Sequence, residues 1–595
     1  MFGMGAGVAP EDQLDRSQTR RVLRRVLRMA YPFRKTAYVA LGCVVVTTAA
    51  TLAAPILVRH GIDAGIRAND VFELNLSVGL YLAITALAYG FGRLQYVFLN
   101  RTGEAFLREL RLKVFAAMQR QSMAFYDRNK AGVLVARMTA DIETMGELIQ
   151  WGLLQFLASG FLVVLAFAVL FTLSWQLTLV VLIVFPVIVI ASVKFQRDSN
   201  VAYLSVRERV GQNLGTLQEG IAAVRVIQAY AQEEHQIKRF ERSNRSLFDS
   251  HVRSIRISTW YFGLVEFSGV VAASLVVGIG GWLVHRDTVS LGTVVAFILL
   301  LSSLFDPVQQ LSQLYNGVQS AAAALHKLFG ILDSQPEVDE APGAVDLPRR
   351  GVLAVNDVTF TYQAGTQPAL EQAAIVVADG ERIALVGPTG AGKSTLAKLM
   401  ARLYDPSVGN VSYGGTDLRS ATLASLRERI VVVPQEGFLF NGTIRENVRL
   451  ARITASDEEV EAALARLGIL DHFEWLPDGL DTEVRERGSR LSAGERQLVA
   501  LGRAALVDPA VLVLDEATSN LDPGTEAEVE AALERLMQGR TTIVVAHRLT
   551  TVQRADRIVV VDKARIAEVG SHDELLALNG KYAALARAWE KSHAL

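Results

Sequence analysis

The sequence predicts a multidomain protein in which an all-α transmembrane domain of six spans is fused to a soluble α/β domain. The 595-residue chain is 51% hydrophobic and only 20% charged, and its mean hydropathy is +0.27, which is too apolar for an ordinary soluble protein of this length. Apolar stretches close to membrane-spanning length all lie before about residue 304. Beyond about residue 330, strand-like apolar runs alternate with charged, helix-like segments, as in an α/β domain.

The composition excludes several classes of protein. A single cysteine, Cys43, excludes an intrachain disulfide framework and a zinc or redox site of the CxxC type. The chain has 60 Lys and Arg against 61 Asp and Glu, so no global basic field favours a nucleic-acid partner, and we expect none. Disorder is excluded because the chain is far too apolar.

Six stretches approach the length of about 20 apolar residues that a membrane-spanning helix needs. They are residues 36–58, 75–98, 151–173, 176–195, 259–284 and 289–305. Any one of them could be a buried helix of a large soluble core, but six together favour a membrane domain. The third and fourth stretches are so close that they predict a tight hairpin.

Basic residues predict the orientation of these spans. Segments 1–35, 99–150 and 196–258 together carry 26 Lys and Arg residues, whereas the three opposite connections carry only three. This asymmetry predicts that both long connections and both termini are cytoplasmic. Arg pairs alternate with Val and Leu over 19–33, which predicts an amphipathic helix on the inner leaflet. No signal-peptide pattern precedes the first span.

A phosphate-binding loop is predicted in the second half of the chain. The segment IALVGPTGAGKST, residues 383–395, fits the pattern G-x-x-x-x-G-K-S/T after a strand-like run. Its glycines let backbone N–H groups surround phosphates at a helix N-terminus. Lys393 is expected to bridge the β- and γ-phosphates of a nucleotide, and Ser394 to bind Mg²⁺. The predicted nucleotide contacts are Gly387, Pro388, Thr389, Gly390, Ala391, Gly392, Lys393, Ser394 and Thr395.

A second segment, VLVLDE, predicts a buried strand that ends in two acids. Sheets of α/β domains bind ligands at the carboxyl ends of their strands. Asp515 is therefore expected to bind Mg²⁺, and Glu516 to polarise an attacking water. An apolar run followed by two acids is weak evidence for a catalytic site when it occurs alone. The phosphate loop upstream strengthens this interpretation.

Between these motifs, residues 491–497 read LSAGERQ and resemble the LSGGQ signature of the ATP-binding-cassette (ABC) family. Ala493 and Glu495 depart from that form, whereas Ser492 and Gly494 retain it. The resemblance implies that Ser492, Gly494 and Glu495 contact a nucleotide held by an opposing subunit.

Further segments resemble the family in the same order. The resemblance implies that Tyr362 stacks on adenine, that Gln435 reaches Mg²⁺ and takes part in catalysis, and that His547 contacts the γ-phosphate. Asp522, in SNLD, matches a loop that crosses the dimer interface. Tyr362 could be a core aromatic, and a lone histidine after a strand is often structural. The ordered series favours the functional interpretation.

The resemblance covers nearly the whole chain and implies the architecture of bacterial multidrug and lipid exporters. It divides the chain into a cytoplasmic N-terminus (1–35) with an elbow helix, a six-helix transmembrane domain with long cytoplasmic extensions (36–325), a linker (326–350) and an ABC nucleotide-binding domain (351–595). Short coupling helices are expected near 125–132 and 229–234.

The implied function is ATP-driven export, or leaflet translocation, of a hydrophobic or amphipathic molecule by alternating access. ATP and Mg²⁺ are the implied cofactors. One phosphate loop and one signature per chain imply a dimer. The resemblance, together with the lack of a recognisable organellar presequence, favours the bacterial plasma membrane and contact with its lipids. Homodimer and heterodimer with a degenerate partner both remain open. An exporter-shaped importer, a non-transport cassette ATPase and a nucleotide-gated channel are the alternatives.

Few polar residues lie in or near the spans: Arg93, Glu266, Asp306, Gln309, Gln310 and Gln313. An ionisable group at membrane depth suggests a function. Glu266 is about two turns inside its span and is the best candidate from the sequence to contact a cationic or zwitterionic amphiphile. Residues near 93 and 306 lie towards the predicted cytoplasmic ends, where a solvated structural role is expected.

Overall fold

The computed structural model describes residues 21, 24–26, 28–362, 367–435, 437–515, 523–546 and 548–593. The chain forms two compact units. The first contains the residues up to Gln119 together with Lys130–Ser334, and the second contains Arg120–Asn129 together with the residues from Gln335 onward.

In the described part of the chain, ten α-helices with the bounds given below precede the first strand. Six helices in this part are long and apolar enough to cross a membrane. This confirms the predicted six spans. The helices are α1 (Arg34–His60), α2 (Val71–Gln119), α3 (Met123–Arg128), α4 (Ala131–Ala136), α5 (Ile142–Glu147), α6 (Leu153–Leu173), α7 (Trp175–Ala222), α8 (Val224–Ala229), α9 (Glu233–His285) and α10 (Leu291–Asp333). Single π-helical turns occupy Gly61–Ile66, Arg137–Asp141 and Leu148–Gly152.

Three of these helices continue far beyond their apolar segments. Helices α2, α7 and α9 contain 49, 48 and 53 residues. At 1.5 Å per residue each is more than about 70 Å long, over twice the thickness of a bilayer core.

Only Ser174 separates α6 from α7, and its side chain accepts a hydrogen bond from the backbone N–H of Leu177. The predicted hairpin therefore turns at a capped helix N-terminus.

An aromatic contact ties α7 to α9 inside the first unit. The fully buried ring of Tyr261 stacks on Phe195, with the ring centroids 4.2 Å apart. Its hydroxyl lies 2.8 Å from the hydroxyl of Ser192, which satisfies the buried polar atom. This pair fixes the crossing of two long helices.

A polar contact joins the turn after α1 to the beginning of α10. The carboxylate of Asp63 accepts hydrogen bonds from the hydroxyl of Ser290 (2.5 Å) and from the backbone N–H of Gly292 (3.0 Å). The backbones approach so closely that a Cβ on Gly292 would lie 2.6 Å from the carbonyl oxygen of Arg59. Only glycine fits this contact without displacement.

Replacing Gly292 with Ala is therefore expected to separate the α1–α2 turn from α10 and to weaken both hydrogen bonds to Asp63. We expect a loss of about 1–3 kcal/mol in stability, typical of overpacking. The measurement is the thermal unfolding midpoint in detergent. Gly281→Ala is the control, because a Cβ there meets no atom within 4 Å. Equal midpoints for the two variants would contradict the steric argument.

The predicted amphipathic helix over 19–33 falls partly on residues 19, 20, 22, 23 and 27, which lie outside the described residues. Within the described part, the Arg25 guanidinium pairs with the Asp333 carboxylate at 2.6 and 2.7 Å and stacks on the ring of Phe329. The hydrogen bond from Arg25 lowers the pKa of Asp333. These contacts attach the N-terminal segment to the end of α10.

The second unit is an α/β domain, as predicted. Its elements after α10 are β1 (Leu353–Phe360), β2 (Leu370–Val377), β3 (Arg382–Val386), α11 (Lys393–Met400), β4 (Val408–Tyr413), β5 (Thr416–Asp417), α12 (Leu423–Arg429), β6 (Ile430–Val433), α13 (Ile444–Arg449), α14 (Asp457–Leu467), α15 (Leu470–Glu474), α16 (Ala493–Val507), β7 (Val511–Asp515), α17 (Pro523–Met537), β8 (Thr541–Val545), α18 (Leu549–Gln553), β9 (Arg557–Asp562), β10 (Arg565–Gly570), α19 (His572–Ala577) and α20 (Lys581–His593).

Two sheets organise this unit. The larger has the order β10-β9-β3-β8-β7-β6, and its strands are parallel except for β10. The smaller is antiparallel, with the order β2-β1-β4-β5. In strand β7 the four residues from Val511 to Leu514 are all buried, which explains their continuous apolar character, because parallel sheets are covered on both faces.

Candidate nucleotide-binding site

Neighbouring parallel strands bring most of the predicted site to one edge of the large sheet. Strand β3 leads directly into Gly387, β7 ends at Asp515, and Gln435 follows β6 by two residues. The strand registers align these ends, because Val545 at the end of β8 pairs with both Leu385 and Asp515. Ligands of α/β sheets bind at this carboxyl edge.

Three predicted residues cannot be placed. Glu516, Asp522 and His547 lie outside the described residues. In the sequence, Glu516 directly follows β7, and His547 follows β8 by two residues.

The glycines of the phosphate loop are required by its backbone. Gly387 has φ +146°, and a Cβ there would lie 2.0 Å from the carbonyl oxygen of Val561. Gly392 has φ +113°, and a Cβ there would lie 2.6 Å from the carbonyl oxygen of Ala369. No L side chain fits either position without a shift of the backbone. The loop therefore holds a tight conformation, and glycine-rich loops of this kind can present backbone N–H groups to an anion.

Lys393 is buried at the centre of this loop, with 5% of its surface exposed. Its Nζ donates hydrogen bonds to the carbonyl oxygens of Gly387 (2.8 Å) and Pro388 (3.0 Å). A buried ammonium needs such acceptors or an anion. The loop therefore fits a phosphate group, since it combines a held cation with backbone donors at the start of α11.

The Tyr362 side chain is held by two aromatic neighbours and one hydroxyl, and it is 41% exposed. Its ring makes edge-to-face contacts with Phe360 and Tyr404, at centroid distances of 4.9 and 5.4 Å. Its hydroxyl lies 3.2 Å from the hydroxyl of Thr395 in α11. An exposed aromatic ring attached to the phosphate-loop helix suits stacking on a planar base.

Three side chains carry oxygen donors of the kind that Mg²⁺ prefers: the Ser394 hydroxyl, the Asp515 carboxylate and the Gln435 amide. Asp515 is half-buried at the end of β7, whereas Gln435 is exposed. No group of three or more His, Cys, Asp or Glu side chains in the described part of the chain forms a metal site. These hard oxygen donors instead suit Mg²⁺ bound together with nucleotide phosphates.

The signature segment forms the N-terminus of α16. The Ser492 hydroxyl accepts a hydrogen bond from the backbone N–H of Glu495 (3.1 Å), and the Glu495 carboxylate accepts one from the backbone N–H of Ser492 (2.6 Å). This is a capping box, which occupies two backbone donors of the helix end. Glu495, a departure from the family form, therefore has a structural role that its S-x-x-E spacing could have revealed. A Cβ on Gly494 would lie 1.9 Å from the side chain of Thr525, so Gly494 also allows α16 to pack on α17.

Sequence reasoning missed Arg503, which positions the segment after Gln435. The Arg503 guanidinium, on α16, donates to the carbonyl oxygens of Phe438 and Asn447, both at 2.7 Å, and to the Asn447 side chain at 2.8 Å. Burial lowers the pKa of this guanidinium. The same segment approaches α16 at Gly437, where a Cβ would lie 2.5 Å from a backbone oxygen of Arg496. The signature helix and the Gln435 segment are thus joined.

A second missed residue, Tyr404, connects the predicted adenine site to α3. The Tyr404 ring contacts Tyr362, and its hydroxyl donates to the Asp127 carboxylate. Burial and this hydrogen bond raise the pKa of the Tyr404 hydroxyl, so that it remains a donor. Ala124, also in α3, is 92% buried in the core around the two sheets. Helix α3 therefore belongs to the second unit, and a short helix at 123–128 occurs close to the first predicted coupling helix.

Comparisons with known proteins agree with this arrangement. A family model described as the ABC transporter transmembrane region matches residues 38–308, and a second model, described as ABC transporter, matches residues 370–519. An "ATP-dependent lipid A-core flippase" of Desulfotalea psychrophila is 35% identical over 565 residues, covering 94% of this chain and 98% of the relative. A "Multidrug efflux ATP-binding/permease protein" of Mycobacterium bovis is 34% identical, over 95% of this chain and 47% of the relative.

A solved structure, described as that of a bacterial Atm1-family ABC exporter with ATP bound, is also similar. Its TM-score is 0.79 at 28% sequence identity, and the match covers 94% of this chain and 98% of that one. The similarity thus extends over both units of the chain.

Proposed function

Because this chain belongs to the ABC transporter family, we propose that it is a half-transporter that exports a hydrophobic or amphipathic small molecule, or moves it between leaflets, by alternating access. It is a multi-pass membrane protein with six apolar helices and an ABC ATPase domain that couples ATP hydrolysis to transport. The observation that carries the proposal is the convergence of the phosphate loop, Asp515 and Gln435 at one sheet edge.

The proposed roles at the ATP site follow from the chemistry of its side chains. The phosphate loop and Lys393 bind the phosphates, and Tyr362 stacks on the adenine. Ser394, Asp515 and Gln435 would hold Mg²⁺, which would offset negative charge on the phosphates. Glu516 accepts a proton from the attacking water, and His547 contacts the γ-phosphate.

The proposed active form is a dimer with composite sites. One chain supplies a single phosphate loop and a single signature, on different elements. We place Ser492, Gly494 and Glu495 of one subunit against the nucleotide of the other, with Asp522 in a loop at the interface. A homodimer needs no further component, whereas a heterodimer would pair this chain with a chain carrying a degenerate site.

The names of the relatives support the substrate class, because one refers to a lipid and another to multidrug efflux. The excess of basic residues on one side of the spans supports cytoplasmic termini. Since both named relatives are bacterial, we propose the bacterial plasma membrane as the location.

The composite-site proposal can be tested with lipid nanodiscs that hold either one or two copies of the chain. Two copies are expected to hydrolyse ATP, whereas one copy is expected to bind ATP without appreciable hydrolysis. Equal turnover per chain in the two preparations would reject the composite site. Two inactive but folded copies would favour the heterodimer.

The hydrogen bond between Tyr404 and Asp127 leads to a prediction about how substrate transport is coupled to ATP hydrolysis. Tyr404→Phe removes the hydrogen bond to Asp127 and keeps the ring contact with Tyr362. Because a hydrogen bond to a charged group contributes about 1.5–3 kcal/mol, we expect substrate stimulation of ATP hydrolysis to fall severalfold while the ATP affinity stays unchanged. ATP hydrolysis is measured with and without substrate.

The matched control is Tyr413→Phe, a buried tyrosine of the same unit whose hydroxyl donates to a backbone carbonyl oxygen. It is expected to retain stimulation. Full stimulation in Tyr404→Phe would show that the Asp127 contact does not transmit the signal.

A further inference from the structure

The first unit contains a polar cavity of about 400 Å³ between four helices. Its wall is formed by side chains of α1, α2, α6 and α10. At this size the cavity can hold a drug-sized molecule or the headgroup of a lipid.

The cavity lies at membrane depth. Asp306 is fifteen residues into α10, or about 22 Å from the start of that helix at 1.5 Å per residue. Ser159 is fourteen residues from the end of α6 at Leu173, or about 21 Å. Both lie within the roughly 30 Å of the hydrocarbon core, beyond its middle and nearer to the side of the helical extensions.

The wall of the cavity is rich in hydrogen-bond acceptors. The hydroxyls of Thr47 and Thr51 donate their hydrogens to carbonyl oxygens of their own helix, at 2.8 and 2.9 Å. Because each hydroxyl has only one hydrogen, its oxygen is left as an acceptor. Pro307 has no N–H, so the carbonyl oxygen of Ser303 loses its usual helical partner. Both Ser303 and Pro307 line the cavity.

The side-chain amide of Gln155 is held by its neighbours. Its NH₂ group donates to the side-chain oxygen of Gln310 and to the hydroxyl of Ser159. The Ser159 hydroxyl itself donates to Gln310 at 3.1 Å. These bonds occupy donors that would otherwise face the cavity.

Charge in the cavity is of one sign. Asp306 lines the cavity, and its side chain is exposed to it. No lysine, arginine or histidine is among the described residues of the wall, and no ion pair of Asp306 occurs within the described part of the chain. A carboxylate at this depth is costly and is stabilised by a water-filled cavity or by a counter-ion. Val44, Ala158 and Leu162 supply an apolar portion of the same wall.

We propose that this cavity binds the head of a cationic amphiphile that carries N–H groups, with the Asp306 carboxylate as the counter-ion and the surrounding oxygens as acceptors for those N–H groups. The inference rests on the proposed transport function and defines its substrate class. Anionic amphiphiles are disfavoured by the same wall, because its described residues include the Asp306 carboxylate and no cationic side chain.

The sequence favoured Glu266 for this role, and the structure favours Asp306. The side chain of Glu266 is exposed on α9 and does not line the cavity. Glu266 is therefore a matched control: it is an acidic residue within a span, but outside the cavity.

The test is the binding of ethidium, a fluorescent cation with two amino groups, to the chain in nanodiscs without nucleotide. Asp306→Asn is expected to weaken ethidium binding by at least about tenfold, since a hydrogen bond to a charged group is lost. Glu266→Gln is expected to bind as the wild type does. Asp306→Glu, which restores the charge, is expected to recover most of the affinity, and cholate, an anionic amphiphile, should not compete.

Unchanged ethidium binding in Asp306→Asn would overturn the inference, as would an equal loss in Glu266→Gln or effective competition by cholate. An unchanged thermal midpoint for Asp306→Asn excludes unfolding as the cause of lost binding, and rescue by Asp306→Glu gives a second check. Since ethidium binding needs no ATP hydrolysis, failure of the proposed pump leaves this measurement intact.

Discussion

Replacing Glu516 with Gln is expected to lower ATP hydrolysis by about 10²–10⁴-fold, the usual contribution of a general base. The substitution keeps the size and polarity of the side chain but removes its ability to accept a proton. ATP binding should persist, because the phosphate loop and Tyr362 are unchanged. The measurement is phosphate release at saturating ATP from the chain in nanodiscs, with ATP binding measured in parallel.

Glu428→Gln is the control for this substitution, because the Glu428 carboxylate is a largely exposed acid of the same unit. It should hydrolyse ATP at the wild-type rate. If Glu516→Gln also retained that rate, the assignment of the general base would be wrong.

Replacing Lys393 with Ala is expected to remove most of the ATP affinity. The buried ammonium lies within the phosphate loop and is held by two carbonyl oxygens. A hydrogen bond from a charged donor contributes about 1.5–3 kcal/mol, so ATP binding should weaken by more than about tenfold. Fluorescence titration with a nucleotide analogue measures this affinity, and it separates Lys393→Ala from Glu516→Gln, which should still bind.

The control here is Lys398→Ala, on the same helix α11 but with its ammonium near the Tyr404 ring at 5.9 Å from the centroid. Its ATP affinity should stay close to that of the wild type. Similar affinity in Lys393→Ala would mean that the lysine does not contact the phosphates.

Local sequence patterns predicted the six apolar helices, the α/β domain and the tight glycine backbone at 387 and 392. The long apolar runs specify spanning helices because a bilayer of fixed thickness demands about 20 apolar residues. The glycines at 387 and 392 could be predicted because their motif requires positive φ and close backbone contacts, and the structure has both. These features depend on residues near one another in the chain.

Contacts between distant segments could not be predicted in the same way. Asp127 and Tyr404 are separated by 277 positions, and no periodicity connects them. Arg503 occupies one position of an otherwise ordinary amphipathic helix, and its partners follow β6 far upstream. Their roles become visible only when the helices and strands are packed together.

The choice between Glu266 and Asp306 shows a specific limit in the membrane half. A helix that spans a bilayer is apolar both towards lipid and towards its neighbours, so its sequence does not show which face is covered. In the sequence, Glu266 lies inside its predicted span, whereas Asp306 directly follows the end of its own predicted span. In the structure, only Asp306 of the two lies on the wall of the cavity. Packing of the four surrounding helices decides which acid meets a ligand.

We propose that ATP hydrolysis by this chain drives the movement of an amphiphile across the membrane in one direction. The most direct test is uptake of ethidium into proteoliposomes that contain only this chain, with ATP added outside and Glu516→Gln reconstituted in parallel. We expect ATP-dependent accumulation for the wild type and none for Glu516→Gln. Active ATP hydrolysis without any accumulation, or equal accumulation by the two proteins, would contradict it.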